Sequence, residues 1–380
     1  VLLTFYSVVG GWILRYAAES AVGVVAGTPA FVAAPGAFFG RVSHGPAAVG
    51  AHLVFLAVTA TVVVGGVRRG IERAATVMTP TVVVLLAALA AWAAVQPGTA
   101  AGYEFYLAPD FAVLRADPLG VLVPAAGQAL FTLSIGAGTM LTYASYLGEE
   151  RSLPADATVI AVLNTLVGVL AGLAVFPLLY SGGLDPGTGG PGALFVGLAT
   201  AFGRLPAGEV LAFALFAAVA LAALTSAVSI LEIPVAVLTD EVGLDRRRAV
   251  ASLVVFYGVT GSVAALSPDL FALLAGPVVD VLLAVGLFAV LVFAGWTLGP
   301  DAVAEFRRGA GPVASALATA WRATVAVPVP AFLAFSTLSA LGAERAFGAG
   351  TTVALALAAV GLAVAGARAG AGRALDGRPE

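Results

Sequence analysis

Apolar residues run through this chain in blocks of about twenty, the length that crosses a bilayer as a helix, separated by short polar loops. Nine full segments are expected, at roughly 48–67, 79–97, 118–147, 156–181, 209–238, 248–266, 272–298, 317–341 and 349–367, after a partial first one. Two longer loops interrupt the series. Residues 98–117 include GYEFYLAPDF, an aromatic-rich stretch suited to a membrane interface. Residues 182–208 open with Gly- and Pro-rich turn chemistry and continue into ALFVGLATAF, apolar enough for a short helix dipping towards the membrane.

In one place the apolar pattern is interrupted from within. GQALFTLSIGAGTMLTYASY, Gly127 to Tyr146, carries Ser134, Gly136 and Gly138 at mid-segment, with Gln128 and Thr132 before them. Two glycines and a serine invite the backbone to leave the helix. Bare N–H and C=O groups are expensive in lipid, so such a break survives only where protein, water, an ion or a ligand satisfies them. The alternative is a small-residue face packed on a neighbouring helix.

Composition agrees with a polytopic membrane protein: 61% of the 380 residues are apolar and 10% charged, and mean hydropathy is +1.05. One transmembrane domain over 1–367 and a cytoplasmic tail over 368–380 are expected, because no polar tract is long enough for a second domain. All 18 basic residues are Arg. Without Lys there is no P-loop lysine and no Schiff base, and without Cys there are no disulfides or thiolate chemistry. His44 and His52 are too few for a metal centre of their own. With no nucleophile–base pair or metal cluster, an enzyme is not expected. The net charge of −3 says little about partners, and no nucleic-acid partner is expected. The first residue is not Met and the chain starts apolar, with no signal-peptide n-region, so preceding sequence is expected.

Arginines set the orientation. Arg68, Arg69, Arg73, Arg151, Arg246, Arg247, Arg248, Arg307, Arg308 and the tail arginines fall on one side, against Arg41, Arg115, Arg204 and Arg345 on the other. The Arg-rich side and the C-terminus are therefore expected in the cytoplasm of a multi-pass plasma-membrane protein. Arg322, at the inner end of its segment, can snorkel.

Several polar groups lie at membrane depth. Asn164, in VIAVLNTLVGVLAG, reads either as a helix–helix hydrogen bond or as an ion ligand. Thr225 and Ser226, in LAALTSAVSILE, either bond back to the preceding turn or offer oxygens to Na⁺, a hard cation. Glu232 and Asp280 are intramembrane acids, functional or simply interior hydrogen-bonding groups. Asp240 lies at the cytoplasmic end of its segment, as a gate partner or a solvated acid.

Together these stretches resemble the neurotransmitter:sodium symporter family, in its prokaryotic amino-acid-transporting branch. GQALFTLSIGAGTMLTYASY resembles the family's sixth helix, and VRRGIERAATVMTP its linker between the fourth and fifth. YEFYLAPDF resembles the loop before the sixth helix, LTSAVSILEIPVAVLTDEVG the eighth helix and its exit, and FYSVVGGW the middle of the third. The similarity covers nearly the whole chain, in order. It implies an all-α inverted-repeat bundle whose ten segments, the first partial, are helices three to twelve, with helices one and two absent.

The resemblance also implies roles. Tyr6 matches the hydroxyl that binds the substrate carboxylate, Phe131 the aromatic lid, and Ser134 the hydroxyl that binds the amine; the Phe131 and Thr132 carbonyls face the amine. Thr132 and Asn164 match the first sodium site, and Ala222, Thr225 and Ser226 the second. Leu2, Ala137, Ser226 and Ile230 would line the side-chain pocket, and Asp240 matches the cytoplasmic gate acid. Departures are specific: Ala275 stands where the outer gate acid is expected, and Gly168 stands where chloride dependence is usually decided, which leaves chloride undetermined. The implied activity is Na⁺-coupled symport of an amino acid by alternating access, with no chemistry on the substrate. Ala137 frees space in the pocket and favours a medium or large hydrophobic or aromatic side chain. The implied partners are the amino acid, the bilayer and, as a candidate assembly, a second copy of the chain. Two rivals remain open: a proton-coupled transporter using Glu232 or Asp280, and a non-functional transporter fragment.

Overall fold

Away from water, a backbone satisfies its own polar groups most simply as a helix. All elements among the described residues are helical. The structure, a computed structural model, describes every residue except 149–150, 182, 184–190, 344–345, 347 and 377–380, and side chains except also those at 68, 191, 193, 349 and 367–376. The turn-rich stretch after residue 182, Arg345 and Arg378 thus lie outside the described residues.

In chain order the helices begin with α1 (Leu2–Ala26), α2 (Ala30–Ala33), α3 (Pro35–Ser43), α4 (Pro46–Val64), α5 (Arg73–Ala94), α6 (Ala100–Leu107) and α7 (Phe111–Ala116). There follow α8 (Pro118–Thr132), α9 (Thr139–Ala144), α10 (Leu153–Ser181), α11 (Pro191–Phe202), α12 (Gly208–Asp240) and α13 (Arg246–Leu266). The last are α14 (Pro268–Leu273), α15 (Val279–Val292), α16 (Pro300–Arg307), α17 (Pro312–Ala326), α18 (Pro328–Ala340) and α19 (Ala349–Asp376). π-type turns occupy Val67–Glu72, Leu274–Val278 and Phe293–Leu298. Among the described residues, eight helical segments are long and apolar enough to cross a membrane, and two shorter apolar helices, Pro118–Thr132 and Gly350–Gly366, bring the number to the ten expected.

Three expected segments are not continuous α-helices. The one at 118–147 is divided between α8 and α9. The one at 272–298 starts earlier and bends at Gly276 (φ −117°, ψ −107°), just before Pro277. The one at 317–341 also starts earlier and bends at Val327 (φ −132°), before Pro328. Proline disfavours the α conformation in its predecessor and removes a hydrogen bond, which is consistent with both bends. The loop at 98–117 folds into two short helices, α6 and α7, and ALFVGLATAF lies within α11.

Contacts divide the chain into two units, Val1–Phe111 with Thr165–Gly276, and Ala112–Asn164 with Pro277–Glu380. In the first unit α12 packs against α1, α4, α5 and α13. Glycines permit the closest crossing: a Cβ at Gly11 of α1 would sit 2.7 Å from the His52 backbone nitrogen of α4. His52 is itself fully buried, with Nε2 3.4 Å from the Gly258 carbonyl of α13. One end of this unit is filled by rings. Tyr16 lies with its ring centroid 4.8–5.1 Å from those of Phe31, Phe38, Phe195 and Phe216. Such aromatic pairs add about 0.5–1.5 kcal/mol each beyond area burial.

In the second unit α15 packs against α8, α17, α18 and α19. Ala284, Leu291 and Leu333 form its buried centre. Trp296 Nε1 donates to the Ala326 carbonyl at 2.9 Å, and Phe306 stacks on Trp321 at 4.5 Å.

Candidate functional site: an unwound segment and two oxygen clusters

Residues 133–138 leave the helix between α8 and α9, so the break expected from Ser134, Gly136 and Gly138 is present. Gly136 (φ 90°) and Gly138 (φ 91°) take left-handed conformations that glycine adopts freely, and Ser134 (φ 50°) takes one that it does not. A side chain in that region costs roughly 1–2 kcal/mol, and strain of this kind concentrates at ligand sites. Ser134 N–H turns back to the Phe131 carbonyl (3.1 Å) and Ile135 N–H to that of Leu130 (3.0 Å). Among the described residues the N–H groups of Gly136 and Ala137 donate to no protein acceptor.

Gly136 rests on the backbone of α15. A Cβ there would overlap the Leu283 carbonyl oxygen and lie 2.9 Å from the Leu287 nitrogen. The contact is reciprocal, because a Cβ at Gly286 would overlap the Gly136 carbonyl oxygen. A glycine on each side therefore seats the unwound segment directly over one turn of α15.

Beside the break, Thr132 Oγ1, the last residue of α8, donates to Asn164 Oδ1 of α10 at 3.3 Å. Asn164 thus makes the cross-helix hydrogen bond that is its plain reading, and makes it with the residue that the resemblance pairs with it. Two neutral oxygens at this spacing suit adjacent ligand positions around a hard cation bound at about 2.4 Å. Phe131, Ser134 and Ala137 are half-buried in the same unit.

The first unit carries the second set. Thr225 Oγ1 donates to the Ala222 carbonyl at 2.7 Å, the back-bonding reading, which holds the two oxygens together and leaves the hydroxyl's lone pairs unused. The Tyr6 side chain, on α1, lies next to Ser226 on α12. Ile230 is buried one turn further along α12, and Leu2 is half-buried in the first turn of α1. Every candidate ligand atom in both sets is a neutral oxygen, the donor type that fits Na⁺.

The acids separate. Glu232 is fully buried and held by Arg246: Nη1 donates to Oε1 at 3.1 Å and Nη2 to Oε2, while Nε donates to the Val63 carbonyl at 2.8 Å. Arg246 counted in the sequence as a loop arginine. Its reach back into α12 was not anticipated there, although a buried acid two turns from a helix end and an arginine opening the next helix were both visible. Asp240 is exposed at the end of α12 and accepts from Thr239 Oγ1 at 3.1 Å. Asp280 is exposed in the first turn of α15.

A sequence profile of the Sodium:neurotransmitter symporter family matches residues 44–275. The chain is 36% identical over 322 residues to the uncharacterized sodium-dependent transporter YhdH of Bacillus subtilis, covering 81% of this chain and 70% of that one. It is 28% identical to an uncharacterized sodium-dependent transporter of Haemophilus influenzae, of whose length it spans 58% (70% of this chain), and 29% identical to one of Methanocaldococcus jannaschii, of whose length it spans 65% (80% of this chain). Among solved structures, MhsT in complex with L-phenylalanine superposes with a TM-score of 0.76 at 31% identity, over 89% of this chain and 78% of that one. The chain is thus a polytopic all-α membrane protein and belongs to the Sodium:neurotransmitter symporter family.

Proposed function

We propose that this chain carries the transport core of a sodium-coupled symporter for hydrophobic amino acids, working by alternating access. The observation that carries the proposal is the unwound segment, whose Gly136 and Ala137 N–H groups lack protein acceptors beside the Thr132–Asn164 oxygen pair. Unsatisfied backbone at membrane depth calls for a ligand. Ser134 and the Phe131 and Thr132 carbonyls bind the substrate amine, and the Tyr6 hydroxyl, next to Ser226, binds its carboxylate. Thr132 and Asn164 hold one Na⁺; the Ala222 carbonyl, Thr225 and Ser226 hold another. Bound Na⁺ supplies positive charge and orders its ligands, so that ion and amino acid favour each other's binding. Phe131 and Asp240 serve as outer lid and inner gate, and the Arg-rich side faces the cytoplasm.

The side-chain class follows from Leu2, Ala137 and Ile230, which are apolar, with Ala137 small. The phenylalanine bound in MhsT is consistent with it. In competition with labelled leucine, phenylalanine or tryptophan should displace far better than glycine; glycine winning would refute the assignment. Asn164→Ala should raise the Na⁺ concentration for half-maximal uptake about tenfold, the effect of one lost contact of ~1.4 kcal/mol. An unchanged Na⁺ curve would remove Asn164 from the ion site. Of the proton-coupled rival, the Glu232 arm is disfavoured, because a carboxylate gripped by a permanently charged guanidinium is poorly placed to carry a proton.

A further inference from the structure

Asp280 is an acid that none of these roles uses. It lies 12 residues after Pro268 and 18 before Leu298, away from both ends of a segment long and apolar enough to cross a membrane. Several other acids near the spans are paired or sit at segment ends. Glu19 pairs with Arg15, Asp156 with Arg151 and Glu232 with Arg246. Glu209 and Asp269 sit in first turns at segment ends, and Asp240 at an exposed terminus. Among the described residues Asp280 has no cationic partner.

Among the described residues its surroundings offer none. Among the elements packed on α15, α8, α18 and Phe293–Leu298 carry no ionisable residue. α17 carries only Arg322, whose guanidinium is directed at Gly299, beyond the far end of α15. α19 has no ionisable residue before Arg368. Two opposed influences act on the carboxyl. It occupies the first turn of α15, freed by the Gly276–Pro277 bend, where the helix N-terminus favours negative charge. The apolar segment around it disfavours charge. Asp280 also lies three residues before Leu283, the residue on which Gly136 rests, so one helical turn separates it from the seat of the unwound segment.

We propose that Asp280 is a proton-binding site of the transport cycle, taking up one proton from water at a carboxylate oxygen and releasing it again, so that its charge alternates one turn from the unwound segment. This rests on the transport reading. Its consequence is that Na⁺-driven uptake depends on pH through this one residue.

The test is Na⁺-driven leucine uptake by the full gene product in proteoliposomes across roughly pH 5 to 9, with a pH-sensitive dye trapped inside. Wild type should vary several-fold and acidify or alkalinise the lumen during uptake. Asp280→Asn should retain uptake with a flat profile and no dye signal, and Asp280→Glu should bring back the dye signal and a pH dependence displaced from that of wild type. An Asp280→Asn protein with the wild-type profile overturns the proposal. Should that variant lose its monodisperse elution, Asp280→Glu decides: a displaced profile supports the site and an unmoved one overturns it. Absence of Na⁺-stimulated uptake in wild type at every pH overturns the transport reading itself, which is a distinct result.

Discussion

Gly136→Ala will destabilise the protein by roughly 2–5 kcal/mol and abolish Na⁺-dependent uptake. Two independent penalties combine. The residue sits at φ 90°, where a side chain is strained, and its Cβ would overlap the Leu283 carbonyl, a backbone atom that cannot swing aside. The Leu283 oxygen belongs to a helix buried against α8, α17, α18 and α19, so the unwound segment must yield. Displacing it moves Ser134 and the free Gly136 and Ala137 N–H groups together. Gly286→Ala probes the same contact from the other side, without the φ penalty, and should have a smaller effect on stability. Gly127→Ala is the control: it lies inside α8, a Cβ there meets nothing within 4 Å, and replacement should be neutral or gain about 0.5–1 kcal/mol. Melting in detergent and uptake in vesicles read the two consequences. A Gly136→Ala protein that melts with wild type would show that the segment is not seated as described.

Arg246→Ala will cost about 3–5 kcal/mol, because it removes the bidentate guanidinium from the buried Glu232 carboxylate and the Nε donation to the Val63 carbonyl. Glu232→Gln added to Arg246→Ala should recover part of the loss by removing the buried charge that has lost its bidentate partner. Arg246→Lys should recover little, since an ammonium cannot reproduce a bidentate grip plus a third donation to a backbone carbonyl. Melting temperatures of the four proteins, as a double-mutant cycle, measure the coupling. A double variant less stable than Arg246→Ala alone would show that Glu232 is held by other groups.

What could be read from the chain divides along physical lines. The ten apolar segments were legible because lipid imposes a length and a composition on each one. The break was legible from Ser134, Gly136 and Gly138, since residue type limits which backbone angles are cheap. The reason Gly136 is a glycine was not legible: the atom that excludes its Cβ belongs to Leu283, far along the chain, and no local pattern joins the two. Asn164 and Thr132, 32 residues apart, were joined only through the family resemblance, and the structure places their oxygens 3.3 Å apart. Glu232 and Asp280 read alike in the sequence, as acids in apolar runs. Tertiary contact separates them, because Arg246 folds back onto one and no cation reaches the other among the described residues. The bends at Pro277 and Pro328 were not legible from the prolines alone, since Pro80, Pro124, Pro177 and Pro234 lie inside continuous helices.

The central claim is that Na⁺ and a hydrophobic amino acid bind this protein cooperatively. Equilibrium binding of labelled leucine to the purified full gene product, titrated with Na⁺ at constant ionic strength against K⁺, tests it most directly. The account predicts an apparent Kd that falls steadily as Na⁺ replaces K⁺, with the dependence weakened by Asn164→Ala and by Thr225→Ala. Leucine affinity indifferent to Na⁺ would contradict it.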